Sequence, residues 1–546
     1  MKIVAAVFAD LSETGLGLPS GLGVELAGRP VLEHTLRRVG RVTGLSGRFV
    51  LVRGGPCEAV ARLLESAGLD DDFEIVEDTG FRRQQALIRA ARKWTLESWR
   101  ASPLGTTYYD EFADLPTAGG LLKHAEADAL LCIDGHQAAV DVEIATAMVS
   151  HAHDFANEAP FIFTQSPPGL AGLILSARAI ADLLRLDIPF GLLLSYRPEI
   201  PQADPITSAM CMHVAPAIEQ FAGRLAADTR VSRDILARAF ADRGPDVDAL
   251  TLCRFLVEHR LGRAARLPAD VEIELTTEDP LPETTLRPRG ARVPRRHLTD
   301  LDAVRRVADE LATCDDRAVV LGGHGDPLQH PDFPAVCSIL HRAGILSVGV
   351  VSPLVDCSDP AFDALLSGDV DLIEVQLDAH SRETYRRVHG RDAFDQVRDN
   401  IARLEAARAD RKSPRPILVP SQTRCEAVLP ELEHFHDHWL RTVGSAVIRP
   451  HNTFGARLPR DTLLPSVPPC RSACRRIVSR LVLLADGTAA ACTQDVDGAA
   501  PVGNWHRESL ASIWSGPALL HLRNRHQAGL WAELPICASC TAWNEG

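Results

Sequence analysis

Four cysteines near the C-terminus constrain this chain more than any other feature. Twelve residues separate Cys474 from Gly487, four more lead to Cys492, and a Cys-x-x-Cys pair, Cys537 and Cys540, closes the set. Thiolates at these separations can converge on one tetrahedral metal centre, because a Cys-x-x-Cys turn offers two sulfurs to the same point. Residues 481–487, Leu-Val-Leu-Leu-Ala-Asp-Gly, predict a strand running into a tight Asp-Gly turn. A hairpin there folds Cys492 back toward Cys474. Spacing alone leaves zinc and an iron–sulfur cluster both open. Cys470 is a fifth candidate that could replace Cys474, whereas Asp495 and Asp497 are expected to form a turn.

A chain of 546 residues has room for roughly two to four domains with ample cores. Lys+Arg 58 against Asp+Glu 72 gives a net charge of −14, which argues against a nucleic-acid partner. No signal peptide or bilayer-spanning apolar run is found, so no membrane partner is expected. Thirteen cysteines in such a chain point to a reducing cytoplasm. Cys132 and Cys253 lie in apolar segments and are expected in the core.

The N-terminal third alternates strand and helix. Strands are predicted at 3–8, 49–52 and 128–133, with helices over 30–42 and 142–152, the pattern of a doubly wound α/β layer. Residues 202–266 turn mostly helical and predict a helical connector. A second α/β series then places strands at 271–276, 317–321, 346–351, 372–377, 416–419 and 446–449. This spacing fits a partial (β/α)6 barrel with its chemistry at the C-terminal strand ends. The expected domains are therefore 1–201, 202–266, 267–460 and a cysteine-rich 461–546 that needs a metal to fold well.

Residues 321–333, Leu-Gly-Gly-His-Gly-Asp-Pro-Leu-Gln-His-Pro-Asp-Phe, resemble the glycine-rich loop of radical S-adenosylmethionine (radical SAM) enzymes. That resemblance implies a SAM amino group held near Gly322, Gly323, Gly325 and Asp326. Residues 374–390 are similar to the same family's fourth-strand region, which makes Asp378 either a strand-end carboxylate at the barrel mouth or a turn former. The run 449–458 and the four cysteines resemble the passage into a SPASM domain, an auxiliary iron–sulfur module. This implies a [4Fe–4S] cluster on Cys474, Cys492, Cys537 and Cys540, with zinc as the alternative. The chain departs from the family at one place. Radical SAM enzymes carry Cys-x-x-x-Cys-x-x-Cys after the first barrel strand, whereas here Asp279, Glu283 and Leu286 occupy those positions. Carboxylates are hard oxygen ligands poorly suited to iron–sulfide chemistry, and leucine is no ligand. Glycine turns are also common after parallel strands, and Asp326 could equally cap the next helix.

The N-terminal domain resembles a nucleotidyltransferase of the glycosyltransferase-A type, through residues 25–36, residues 130–136 around Asp134 and His136, and residues 167–171. Its expected phosphate loop, 11–23, holds Gly15, Gly17, Gly21 and Gly23 but no Arg or Lys. One carboxylate, Asp134, makes a poor Mg²⁺ site. His136 is expected to satisfy a local turn.

Three functions follow. The first is an iron–sulfur protein of radical SAM/SPASM type that has lost its core cluster and keeps binding, scaffolding or electron-relay roles, with a protein or peptide as the partner class. The second is an active enzyme, modifying through SAM at an unusual site or transferring nucleotides. The third is a zinc-stabilised partner-binding protein.

Overall fold

The computed structural model describes all residues except 81–83, 200–203, 299, 460, 462–467, 469 and 545–546. The chain divides into two units, Met1–Arg263 and Ala264–Gly546.

The first unit is built on β1 (Ile3–Asp10), whose eight residues are all buried. A small ribbon, β2 (Glu25–Leu26) with β3 (Arg29–Pro30), follows the glycine-rich loop. β4 (Arg48–Arg53), β5 (Glu74–Glu77), β6 (Ala129–Asp134), β7 (Phe161–Ile162) and β8 (Leu173–Ser176) complete a sheet of order β5-β4-β1-β6-β8-β7. The first four strands in that order run parallel, and β8 and β7 add an antiparallel edge. Ile3, Ala5, Val7 and Ala9 face one core and Val4, Ala6 and Phe8 the other. A strand covered on both faces must be apolar throughout, which is why 3–9 reads as an unbroken hydrophobic run. Cys132 and Cys253 are buried as expected.

Residues 204–263 do not form a separate connector. Their helices Arg230–Arg243 and Ala249–Glu258 place Leu236, Phe240, Leu252 and Leu256 in the same core as Ile3 and Val7. The expected boundary near 201 therefore falls inside the unit, because these amphipathic helices cover one face of the sheet.

The second unit holds β9 (Asp270–Glu274), β10 (Ala318–Gly322), β11 (Ser347–Ser352), β12 (Leu372–Gln376), β13 (Ile417–Arg424) and β14 (Val447–Pro450). These six pair in sequence order, all parallel, with helices between them. The six-unit barrel is present as read from the sequence. Its sheet continues on the other side of β9 through β15 (Arg480–Leu483), β16 (Thr488–Ala490) and β17 (Gly503–Asn504). β15 lies parallel to β9 in the register Leu481↔Val271. The predicted hairpin joins β15 to β16, with Gly487 at φ 91° in its turn. Trp505 seals it by donating Nε1–H to the Leu484 carbonyl at 2.8 Å. One hydrophobic core runs from Val271 and Leu321 through Leu483, Trp505 and Trp514, so 264–546 folds as one unit.

Candidate functional site

The loop after β9 carries the positions where the radical SAM resemblance expects cluster cysteines, and the structure sends the three side chains to different surroundings. The Asp279 side chain is buried, accepts the Leu281 backbone N–H at 2.7 Å and pairs with Arg289 Nε at 2.7 Å. Glu283 is exposed. Leu286 packs in an apolar cluster with Val388, Cys425 and Val428. No thiol stands at any of the three.

Arginines occupy the mouth instead. Arg287 pairs with Asp378, which also accepts the Thr423 N–H at 2.8 Å and sits in the left-handed region at φ 57°. Burial pushes the Asp378 carboxyl up, yet Arg287, His389 and the Thr423 bond outweigh it and hold it below the usual carboxylate range. Arg296 grips Glu274 through Nε–Oε1 at 2.7 Å and Nη2–Oε2 at 3.1 Å, both side chains being buried. Glu274 accepts two backbone N–H groups as well, from His324 at 3.0 Å and Ala485 at 3.3 Å. Arg296 donates in turn to the Val496 carbonyl at 3.1 Å. This pair therefore ties the first barrel strand, the glycine loop and the C-terminal module together.

The glycine loop follows β10, where the sequence placed it. Gly323 N–H donates to Glu272 at 3.0 Å. Gly325 packs so closely that an added Cβ would stand 2.3 Å from the Thr276 carbonyl oxygen. Gly322 meets only ordinary contacts. Asp326 caps the next turn, accepting Leu328 N–H at 3.2 Å and Gln329 Nε2 at 3.0 Å. Burial, then the nearby Asp279 charge, pushes its carboxyl up to about 7. His324 is buried with neither ring nitrogen partnered among the described residues, and burial lowers it to about 4.

The structure brings the four C-terminal cysteines into one neighbourhood. Burial pushes the Cys492 thiol up to about 12, with Cys537 and Cys474 adding to the effect. Burial likewise raises Cys537 to about 11, with Cys540 and Cys474 contributing. Cys540 is raised by burial and then by Cys474. Cys474 thus acts on the other three. His526 joins them, accepting the Cys474 N–H at Nδ1, 3.3 Å, with Nε2 3.3 Å from Cys537 Sγ. Cys470 is exposed. Asp495 forms a turn, accepting the N–H groups of Ala499 and Ala500. Among the described residues no three His, Cys, Asp or Glu groups stand in closed metal-ligating geometry. The donor set of four clustered thiols still suits zinc or an iron–sulfur cluster.

In the first unit, His136 bridges Asp134 and the glycine-rich loop, with Nδ1 3.1 Å from Asp134 Oδ1 and Nε2 accepting Gly21 N–H at 3.4 Å. Two features escaped the sequence. Asp10, at the end of β1, is a second strand-end carboxylate and accepts from the Ser12 hydroxyl at 2.6 Å. Two arginines from elsewhere reach the loop: a Cβ on Gly17 would lie 3.3 Å from Arg89 Cδ, with Arg89 paired to Glu13, and Arg233 lies against Gly21. A cavity of about 540 Å³ opens beside Gly15, lined by Gln85, Ile88, Glu111 and Leu183.

A parallel barrel with a glycine-rich strand-end loop, continued by a cysteine-rich hairpin module, defines the class. Residues 280–428 match the model of the radical SAM superfamily and residues 474–541 that of the iron–sulfur cluster-binding domain SPASM. An uncharacterized protein of Treponema pallidum (strain Nichols) is 24% identical over 303 residues, covering 52% of this chain and 81% of that protein. Among solved structures, BtrN in complex with AdoMet and 2-DOIA aligns at TM-score 0.34 and 14% identity, covering 50% of this chain and 93% of that one. Streptococcus suis SuiB bound to precursor peptide SuiA aligns at 0.41 and 8%, covering 53% and 72%. A cytidylyltransferase from Leptospira borgpetersenii serovar Hardjo-bovis (strain JB197) aligns at 0.35 and 12%, covering 48% and 95%. No helix among the described residues is long and apolar enough to cross a membrane.

Proposed function

We propose that the barrel has lost reductive SAM cleavage and that the C-terminal cysteines hold an auxiliary [4Fe–4S] cluster, giving the protein a binding, scaffolding or electron-relay role. One observation carries this reading: the cluster-ligand positions are Asp279, Glu283 and Leu286, of which Asp279 is held by Arg289, Glu283 is exposed and Leu286 lies in an apolar cluster. A core cluster does not fit that donor set, since it needs soft thiolates. SAM would also meet spent carboxylates. Asp378 is bonded to Arg287, and Asp326, titrating at about 7, carries only part of a charge near neutrality.

The residues of the second site fit their group. Cys474, Cys492, Cys537 and Cys540 would hold the cluster, which when bound supplies one-electron storage and transfer. Burial keeps Cys492 and Cys537 protonated in the metal-free chain, so loading releases protons and is favoured by higher pH. The Trp505-sealed hairpin fixes the strand that precedes Cys492, and His526 braces Cys474 and Cys537 from behind.

The test is elemental. Protein purified and reconstituted without oxygen should contain about four irons and four sulfides per chain and should form no 5′-deoxyadenosine from SAM under reduction. About eight irons, or SAM cleavage, overturns the reading; zinc without iron replaces the cluster with a structural zinc site.

A second reading rests on Arg89 and Arg233 beside the glycine-rich loop: the first unit binds a nucleoside triphosphate. Titration with Mg-CTP and Mg-ATP tests it, and the absence of binding at millimolar nucleotide rules it out.

A further inference from the structure

Three imidazoles meet on the barrel outside the roles described so far. His380 lies in the turn after β12, four residues past its end. His434 and His438 lie on the helix Leu432–Val443 in the spacing His-x-x-x-His, which puts both on one helix face. The ring centroids of His380 and His438 are 5.6 Å apart, and those of His380 and His434 are 6.1 Å apart. All three line one open cavity of about 490 Å³, together with Glu433, Asp437 and Arg441.

The fold holds this arrangement in place. Glu431, immediately before the helix, accepts the backbone N–H of His380 at 2.9 Å and of Ser381 at 3.2 Å. The turn bearing His380 is thereby fastened to the start of the helix bearing the other two. His438 also packs edge-on against the buried Trp439, with centroids 4.9 Å apart.

In the metal-free chain the three rings do not stand in closed ligating geometry, but they lie near it. A tetrahedral ion binds imidazole nitrogen at about 2.0–2.1 Å, which places ring centroids about 5 Å apart. The observed separations exceed that by about 1 Å or less, a gap that rotations about χ1 and χ2 of half-buried and exposed side chains can close. A helical His pair four residues apart is a known chelating unit. Imidazole suits zinc, nickel and copper rather than magnesium or calcium. We propose that His380, His434 and His438 form a binding site for a first-row divalent transition metal, separate from the cysteine site, with Glu433 or water in the fourth position.

Tag-free full-length protein, its four C-terminal cysteines first occupied by reconstitution with iron and sulfide and excess metal removed, is titrated with Ni²⁺ to test this. Wild type should bind one ion, and X-ray absorption at the nickel edge should show a shell of nitrogen and oxygen only. His380→Gln, His434→Gln and His438→Gln should each weaken binding by more than about tenfold, since even outer-shell changes at metal sites cost that much. His436→Gln, on the same helix but outside this cavity, should leave it unchanged. Absence of binding, a sulfur shell, or equal loss in His436→Gln overturns the proposal. The absorption measurement needs no variant, and exposed His434 can be replaced without opening the core.

Discussion

Glu274→Gln should be among the most damaging single changes in the second unit. Glu274 is fully buried, and its carboxylate takes two bonds from Arg296 and two from backbone N–H groups on separate segments. The amide keeps the shape but removes the charge, leaving the Arg296 guanidinium buried without its counter-ion. Breaking a buried pair from one side costs about 3–5 kcal/mol. For a unit of this size each kcal/mol moves the melting temperature by roughly 2 °C. The expected fall is therefore on the order of 6–10 °C, followed through the fluorescence of Trp505 and Trp514, both buried in the same core. Replacing both partners, Glu274→Leu with Arg296→Met, should recover most of the loss, because apolar substitutes carry no desolvation cost. The double-mutant cycle should show a coupling of about 2–3 kcal/mol. A Glu274→Gln protein melting within about 2 °C of wild type, or a double variant no better than the single, refutes the argument that this pair binds strand, loop and module together.

Leu236→Ala empties a fully buried site in the layer once expected to be a connector and should destabilise the first unit by about 2–5 kcal/mol, measured by denaturant unfolding. Gly325→Ala should reduce soluble yield and melting temperature, because its Cβ meets the Thr276 carbonyl and backbone has to move. Acid should weaken the second unit. His324 and His389 titrate at about 4 when folded and near 6.5 when unfolded, so the stability they confer is whole above about pH 6.5 and is lost as pH falls toward 4. Asp326, raised to about 7, works in the opposite sense, favouring the folded state at low pH and losing that contribution as pH rises through 7. Asp326→Asn should thus raise stability above pH 7 and steepen the acid loss, read from urea midpoints between pH 4 and 8. Cys474→Ser should abolish bound iron, whereas Cys470→Ser should not; equal loss in both would shift the ligand set.

Periodicity carried the fold. Runs such as Ile3–Phe8 and 346–351 are apolar throughout because parallel strands are covered on both faces, and that signature is local. The C-terminal cysteines stood out for a different reason, since a Cys-x-x-Cys pair is a local pattern readable in four residues. What the sequence hid is long-range. Nothing in residues 230–258 says which sheet their amphipathic helices cover; that depends on matching surfaces, and the structure assigns them to β1. The arginines of the mouth were equally silent. Arg287, Arg289 and Arg296 look like surface charge until Asp378, Asp279 and Glu274 are brought to them across as many as 91 residues. His380 and His438 likewise meet only through tertiary folding.

The parallel pairing of β15 with β9 has one more consequence. It gives the first barrel strand a neighbour on each side, so its backbone amides and carbonyls offer no template to another chain. A polypeptide ending before Arg480 uncovers that edge and should self-associate. If the tail depends on iron or zinc to stay folded, metal starvation will surface as aggregation through the uncovered barrel edge.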